Sequence, residues 1–206
     1  MNSETTNKYL NYLKSNMKIL FSISISILII LIFFYWKNHY ERQNAISVSN
    51  SYIKAKILIS QNKESEAINE LETILNKKSN IYSPLALFLI IDKKLEKDEN
   101  KIEEYFDIVL SINKISDEDL NLLKLKKTIY FSSKLNEEEI LNLLNPVVNS
   151  NSIWKVQSLK FLGDYYFSKK EFNKAEQYYM KIIGFNDQNI DLGELNRKIK
   201  IIKKNG

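Results

Sequence analysis

Between Ile19 and Trp36 the chain reads ILFSISISILIILIFFYW, a run without a charged side chain, bounded by Lys18 and Lys37. As a helix rising about 1.5 Å per residue it covers roughly 27 Å, close to a hydrocarbon core of about 30 Å once the flanking lysines reach outward. The pattern predicts a transmembrane helix over 19–36. Ser22, Ser24 and Ser26 are tolerable inside it because a serine hydroxyl can bond the carbonyl one turn back. A cleaved signal peptide would end a shorter apolar run with a small-x-small site; the triplets Ser22-Ile23-Ser24 and Ser24-Ile25-Ser26 instead precede most of the run. Retention as an anchor is therefore expected. Basic residues lie on both sides, so charge hardly orients the span. A short head over 1–18 stays in the cytoplasm more easily than a long remainder, which translocates largely regardless of charge, and the expected topology is N-in, C-out. Tyr35, Trp36, His39 and Tyr40 gather where 37–44 leaves the bilayer, the level at which amphipathic rings settle.

Beyond the anchor, from 45 to 206, apolar positions recur at helical spacing and divide into pairs joined by polar turns. The clearest pair is VQSLKFLGDYYFSKKEFNKAEQYYMKIIGFNDQN, where Leu162, Gly163, Tyr166, Ala175 and Tyr179 stand at the spacing of the tetratricopeptide repeat (TPR), which the segment resembles. Small residues at 163 and 175 would let two antiparallel helices approach, with Tyr166 and Tyr179 filling the space beside them. Aligned on Ala175, the other pairs put Ile140, Ile102 and Ala67 in the same column, at intervals of 35, 38 and 35 residues against an ideal of about 34. Ala55, Leu58, Ala67, Leu71 and Ile74 keep the template in the first pair, and Phe106 and Val109 hold the second. Where Ile102 and Ile140 replace a small residue, the helices should splay. Ser116 with Asp119 and Asn136 with Glu139 read as helix caps, and Pro146 should end the helix that follows Asn136. Leu192, Leu195, Ile199 and Ile202 form one apolar stripe of a final helix whose other face is basic, as a repeat array needs at its end. The expected fold is all-α: one N-terminal transmembrane helix, then a TPR-like right-handed stack of about four helical hairpins with a C-terminal capping helix.

Composition narrows the chemistry. Four Gly and two Pro in 206 residues disfavour Gly-rich phosphate loops and turn-dense β folds. Without cysteine there is no thiolate nucleophile, Cys-ligated zinc or disulfide. His39 stands alone, with no partner histidine for a metal site. The acidic pairs Asp117/Asp119 and Glu137/Glu139 are two apart and point in different directions on a helix. No catalytic, cofactor or metal site is expected. Residues 37–206 carry 27 basic and 24 acidic side chains, too near balance to point to nucleic acid.

Taken in order, the Tyr35-Trp36-Lys37-Asn38-His39 exit, Ser51-Tyr52-x-x-Ala55, Tyr82-Ser83-x-Leu85-Ala86-x-x-Leu89 and Trp154 nine positions before Gly163 resemble the ancillary SecYEG translocon subunit family, YfgM-like, over nearly the whole chain. The resemblance implies a single-span protein of the bacterial inner membrane, with its C-terminal domain in the periplasm. It also implies two protein partners, the Sec translocon and a membrane-anchored periplasmic chaperone. The head is poorer in acidic residues than that family leads one to expect.

A stack of helical pairs has a concave face suited to an extended segment or a partner helix. In the first pair its groove positions would be Tyr52, Lys56 and Ile59; in the last, Gln157, Lys160, Asp164 and Phe167. The expected function is that of a membrane-anchored scaffold. The alternative is a structural protein whose basic amphipathic C-terminal helix lies on an anionic membrane surface.

Overall fold

A computed structural model describes residues 16–185 and 192–205. The expected cytoplasmic head lies, for residues 1–15, outside the described residues. The described chain is all-helical: α1 (Met17–Ser60), α2 (Glu64–Asn76), α3 (Tyr82–Asp92), α4 (Glu99–Leu110), α5 (Asp117–Tyr130), α6 (Glu137–Val148), α7 (Lys155–Ser168), α8 (Phe172–Ile183) and α9 (Leu192–Asn205).

Helix α1 is long and apolar enough near its start to cross a membrane. Its 44 residues make a rod of about 66 Å. It runs without a break from the apolar stretch through 37–44 into the packed domain, where burial begins at Val48. Ser26 Oγ donates to the Ser22 carbonyl at 3.0 Å, the local bond that lets a serine sit in an apolar helix.

From Val48 onward consecutive helices pack on one another, α1 with α2, α3 with α4, α5 with α6 and α7 with α8. The reason is local. The aligned residues Ala67, Ile102, Ile140 and Ala175 are each the fourth residue of the second helix of a pair and are all fully buried. Where that residue is alanine, α1–α2 and α7–α8 pack closely; where it is isoleucine, the helices of the pair touch less. The tightest approach is at Gly163, where an added Cβ would lie 2.4 Å from the Tyr179 ring.

Three of the four turns inside pairs close in the same way. Asn62, Lys94 and Lys170 adopt positive φ, and the next N–H reaches back to the carbonyl five residues earlier. This is the Schellman ending, here without the usual glycine. Helix α6 begins with a full capping box, Glu139 N–H to Asn136 Oδ1 at 3.0 Å and Asn136 N–H to Glu139 Oε2 at 2.8 Å. Ser116 caps α5 through Asp119 N–H at 3.1 Å. Pro146 does not end its helix: α6 runs to Val148, because the following N–H groups of Asn149 and Ser150 still find carbonyls at Asn145 and Val147.

Equivalent places in successive pairs also touch, and the sequence separations repeat. Tyr82 Oη donates to Ser49 Oγ and Tyr105 Oη to Glu72, 33 residues apart in each case. Asn80 bonds the Lys114 carbonyl, Ser152 bonds Glu118 and Lys160 bonds Glu194, each 34 apart. The core divides into two clusters. One, from Val48 to Phe131, joins α1 to α5; the other, from Leu125 to Ile202, joins α5 to α9, and Leu135 packs on both.

Candidate partner-binding cleft

The first helices of the first three pairs share one face, and between them lies a cleft of about 510 Å³. Helix α1 contributes Tyr52; α3 contributes Leu85, Phe88, Leu89, Ile91 and Asp92; α5 contributes Leu122, Lys126, Ile129 and Tyr130. Leu85, Ile129 and Tyr130 keep 41, 48 and 37% of their surface exposed, so the lining offers apolar area that the fold itself does not bury. Tyr52 lies against Tyr82, ring centroids 5.7 Å apart, and burial pushes its hydroxyl pKa up. Two opposite charges, Asp92 and Lys126, interrupt the apolar wall. Such a lining can take apolar side chains and orient them by charge, the means of binding a helix or an extended segment.

Of the seven groove positions expected from sequence, Tyr52 lines this cleft. Lys56 is exposed and Ile59 half-buried on the same helix. Gln157 is exposed on α7, and Phe167 is half-buried with its ring edge-on to Phe172 at 5.7 Å. Lys160 and Asp164 lie in an ion network with α9. Lys160 Nζ is 2.9 Å from Asp164 and 3.1 Å from Glu194, and Lys198 Nζ is 2.6 Å from Asp164 and 2.7 Å from Glu194. Tyr179 Oη donates to Asp164 at 2.7 Å. Burial alone would raise the Asp164 carboxyl, but the bonds from Lys198, Tyr179 and Lys160 outweigh it and hold its pKa below the usual value. Lys198, then Lys160, do the same for Glu194.

The two sets are related by position. Counted back from the last residue of the first helix in each pair, Ile59, Ile91, Ile129 and Phe167 are equivalent; so are Lys56, Phe88, Lys126 and Asp164, and so are Tyr52, Pro84, Leu122 and Lys160. Five middle members of these columns, Phe88, Ile91, Leu122, Lys126 and Ile129, line the cleft. Carried over on the buried fourth residue, the seven expected positions reach Ile91, Leu122 and Ile129 but miss Phe88 and Lys126, because the turns after α3 and α5 are six residues long, against three after α1 and α7. Counting from the end of each first helix would have found them.

No family model, curated protein or solved structure matches the chain.

Proposed function

We propose that this protein is a membrane-anchored, TPR-like scaffold that holds a segment of another protein in the cleft between α1, α3 and α5. The observation that carries the reading is the cleft itself: three successive first helices expose large apolar side chains to one shared space, and one of them continues into the apolar anchor. Contacts recurring at 33 or 34 residues support a stack of repeats of TPR length. In this reading the domain stands at the outer face of the bacterial inner membrane. It works as an ancillary subunit of the Sec translocon, with a membrane-anchored periplasmic chaperone as second partner, and performs no catalysis. Tethering favours such work, because confinement to one membrane raises the effective concentration of a weakly bound partner.

The basic amphipathic helix α9 gives the lipid-surface reading less to use. Leu195, Ile199 and Ile202 of its stripe are buried in the C-terminal core, leaving Leu192 as its exposed member.

Photocrosslinking from Phe88 in native membranes tests the scaffold reading. Recovery of translocon or chaperone subunits is expected, and Leu122→Glu should reduce it about thirtyfold or more, as for a central interface residue. Recovery of lipid alone, or of partners indifferent to Leu122→Glu in a folded protein, would overturn it.

A further inference from the structure

The two ends of the helical stack differ. Antiparallel packing brings the turns between pairs to the end at which α1 leaves its apolar stretch, and the turns within pairs to the opposite end. Direct contacts mark the near end: Glu41, Asn44 and Val48 of α1 share a recess with Lys77 to Asn80 and Ser111 to Lys114. Lys77 Nζ donates to Ser47 Oγ at 2.9 Å, and Asn80 bonds the Lys114 carbonyl at 3.2 Å.

The near turns expose apolar side chains. Ile81 is 62% and Ile153 70% exposed, each beside a turn between pairs. Within the far turns, 61–63, 93–98, 131–136 and 169–171, no large apolar side chain is exposed, and Phe131 is buried. Lysines stand at both ends. At the far end Lys63, Lys93, Lys101, Lys134 and Lys174 have carboxylate partners in Glu66, Asp92, Glu96, Glu99 and Glu171. Those with no carboxylate at ion-pair distance among the described residues are Lys77, Lys78, Lys114 and Lys155 at the near end and Lys94, Lys97, Lys169 and Lys170 at the far end, so the near end has cations to offer without being set apart by them. Near-end acids also exist: Glu118 accepts from Ser152 at 2.6 Å, and Asp119 from Ser116 at 2.7 Å.

Height decides what this end meets. Ser47, which Lys77 touches, lies eleven residues past Trp36, about 16 Å along the helix. A headgroup layer extends roughly 5–7 Å beyond the hydrocarbon. The remaining gap of about 10 Å is bridged by helix tilt and lysine length, and it is no more than about one Debye length at 0.1 M salt.

We infer that the near end of the stack is a lipid-docking surface. Ile81 and Ile153 dip into the interface, and Lys77, Lys78, Lys114 and Lys155 meet the phosphates of the anionic bilayer that α1 spans. The inference rests on the anchored reading of α1 and is independent of what fills the cleft. It would fix the stack against the membrane at two places, so that the cleft keeps one height and one facing.

The chain has no cysteine, so single replacements carry one fluorophore cleanly. The full-length protein is reconstituted in phosphatidylglycerol-containing and in pure phosphatidylcholine bilayers. An environment-sensitive dye is placed at Ile27→Cys, Ile81→Cys, Ile153→Cys or Lys94→Cys, and spin-labelled lipid serves as quencher. Dye at 81 and 153 should shift to the blue and be quenched in the anionic bilayer more than in the neutral one, while dye at 94 stays in water. The joint change Lys77→Glu, Lys78→Glu and Lys114→Glu should abolish the difference between the two bilayers. If dye at 27 is in lipid but dyes at 81 and 153 behave like 94, the docking surface is overturned and the anchor stands. If dye at 27 is also in water, the anchored reading itself fails. Equal quenching in both bilayers overturns the role of anionic lipid.

Discussion

The N-terminal and C-terminal halves of the stack place equivalent positions in opposite use. In the first, Phe88, Leu122, Lys126 and Ile129 face an open cleft and leave apolar surface to water. In the second, Lys160 and Asp164, from the same columns, are tied by Lys198 and Glu194 to α9. Leu195, Ile199 and Ile202 then complete the core behind them. Lys160 stands where the earlier pairs carry Tyr52, Pro84 and Leu122, and the Asp164 carboxylate stands where they carry Lys56, Phe88 and Lys126, so that α9 is fastened across the position that stays open in the first half. The separate core clusters suit this division: one lies behind the open cleft, the other behind a closed end.

The sharpest way to break the comparison is Gly163→Ala. The new Cβ would meet Tyr179 Cε1 at 2.4 Å, and that ring is fully buried with its hydroxyl held by Asp164 at 2.7 Å. Separating α7 from α8 should cost about 1–3 kcal/mol. Trp154 packs on the C-terminal core, so its fluorescence in urea should report the earlier transition while crosslinking from Phe88 is unchanged. If helix content and Trp154 shift together and crosslinking falls too, the two halves are one cooperative unit and the division is wrong.

A smaller effect is expected at the ion network. Asp164→Asn removes the charge facing Lys160 and Lys198 but keeps an oxygen for Tyr179, and at a group 37% exposed the loss should be about 1 kcal/mol or less. The same network gives a pH dependence. The folded carboxyls of Asp164 and Glu194 are held below their ordinary 3.8 and 4.5, so folding binds fewer protons than the unfolded chain does. Their contribution is complete above those ordinary values and is lost as pH falls through the lower folded ones. Acid should therefore lower the urea midpoint of the Trp154 transition in the native protein more than in Asp164→Asn. An identical acid response in both would mean that Asp164 does not fasten α9.

Much of this architecture is written locally. The Asn136/Glu139 box, the Ser116 cap and the small residues at 67 and 175 act through neighbours within a turn or across one hairpin, and each is legible as a pattern. Phe88 and Lys126 in the middle of the cleft are not, because two turns are longer by three residues and the first helices slide out of register with the second. The ion network is less legible still: Lys160 and Glu194 lie 34 residues apart, and only the stacking of one pair on the next brings them together. Continuity of α1 from its apolar stretch to the cleft is also a tertiary fact, since residues 37–44 are polar and exposed and their own pattern does not demand a helix.

The smallest effect concerns the turn that closes the last pair. Lys170 has φ 61°, a conformation that crowds any Cβ and that glycine adopts freely. Its N–H bonds the Phe167 carbonyl at 3.0 Å, and that of Glu171 bonds Tyr166 at 2.9 Å, which holds α7 and α8 in their antiparallel approach. Lys170→Gly removes the strain but also frees the unfolded chain, so the net gain should be a few tenths to about 1 kcal/mol. Lys94, at φ 52° in the equivalent turn after α3, supplies the contrast. Lys170→Gly should raise the Trp154 transition and Lys94→Gly should leave it in place, each with no change in crosslinking from Phe88. A lower midpoint for Lys170→Gly would mean that the lysine side chain, rather than the left-handed backbone, holds the sealed end together.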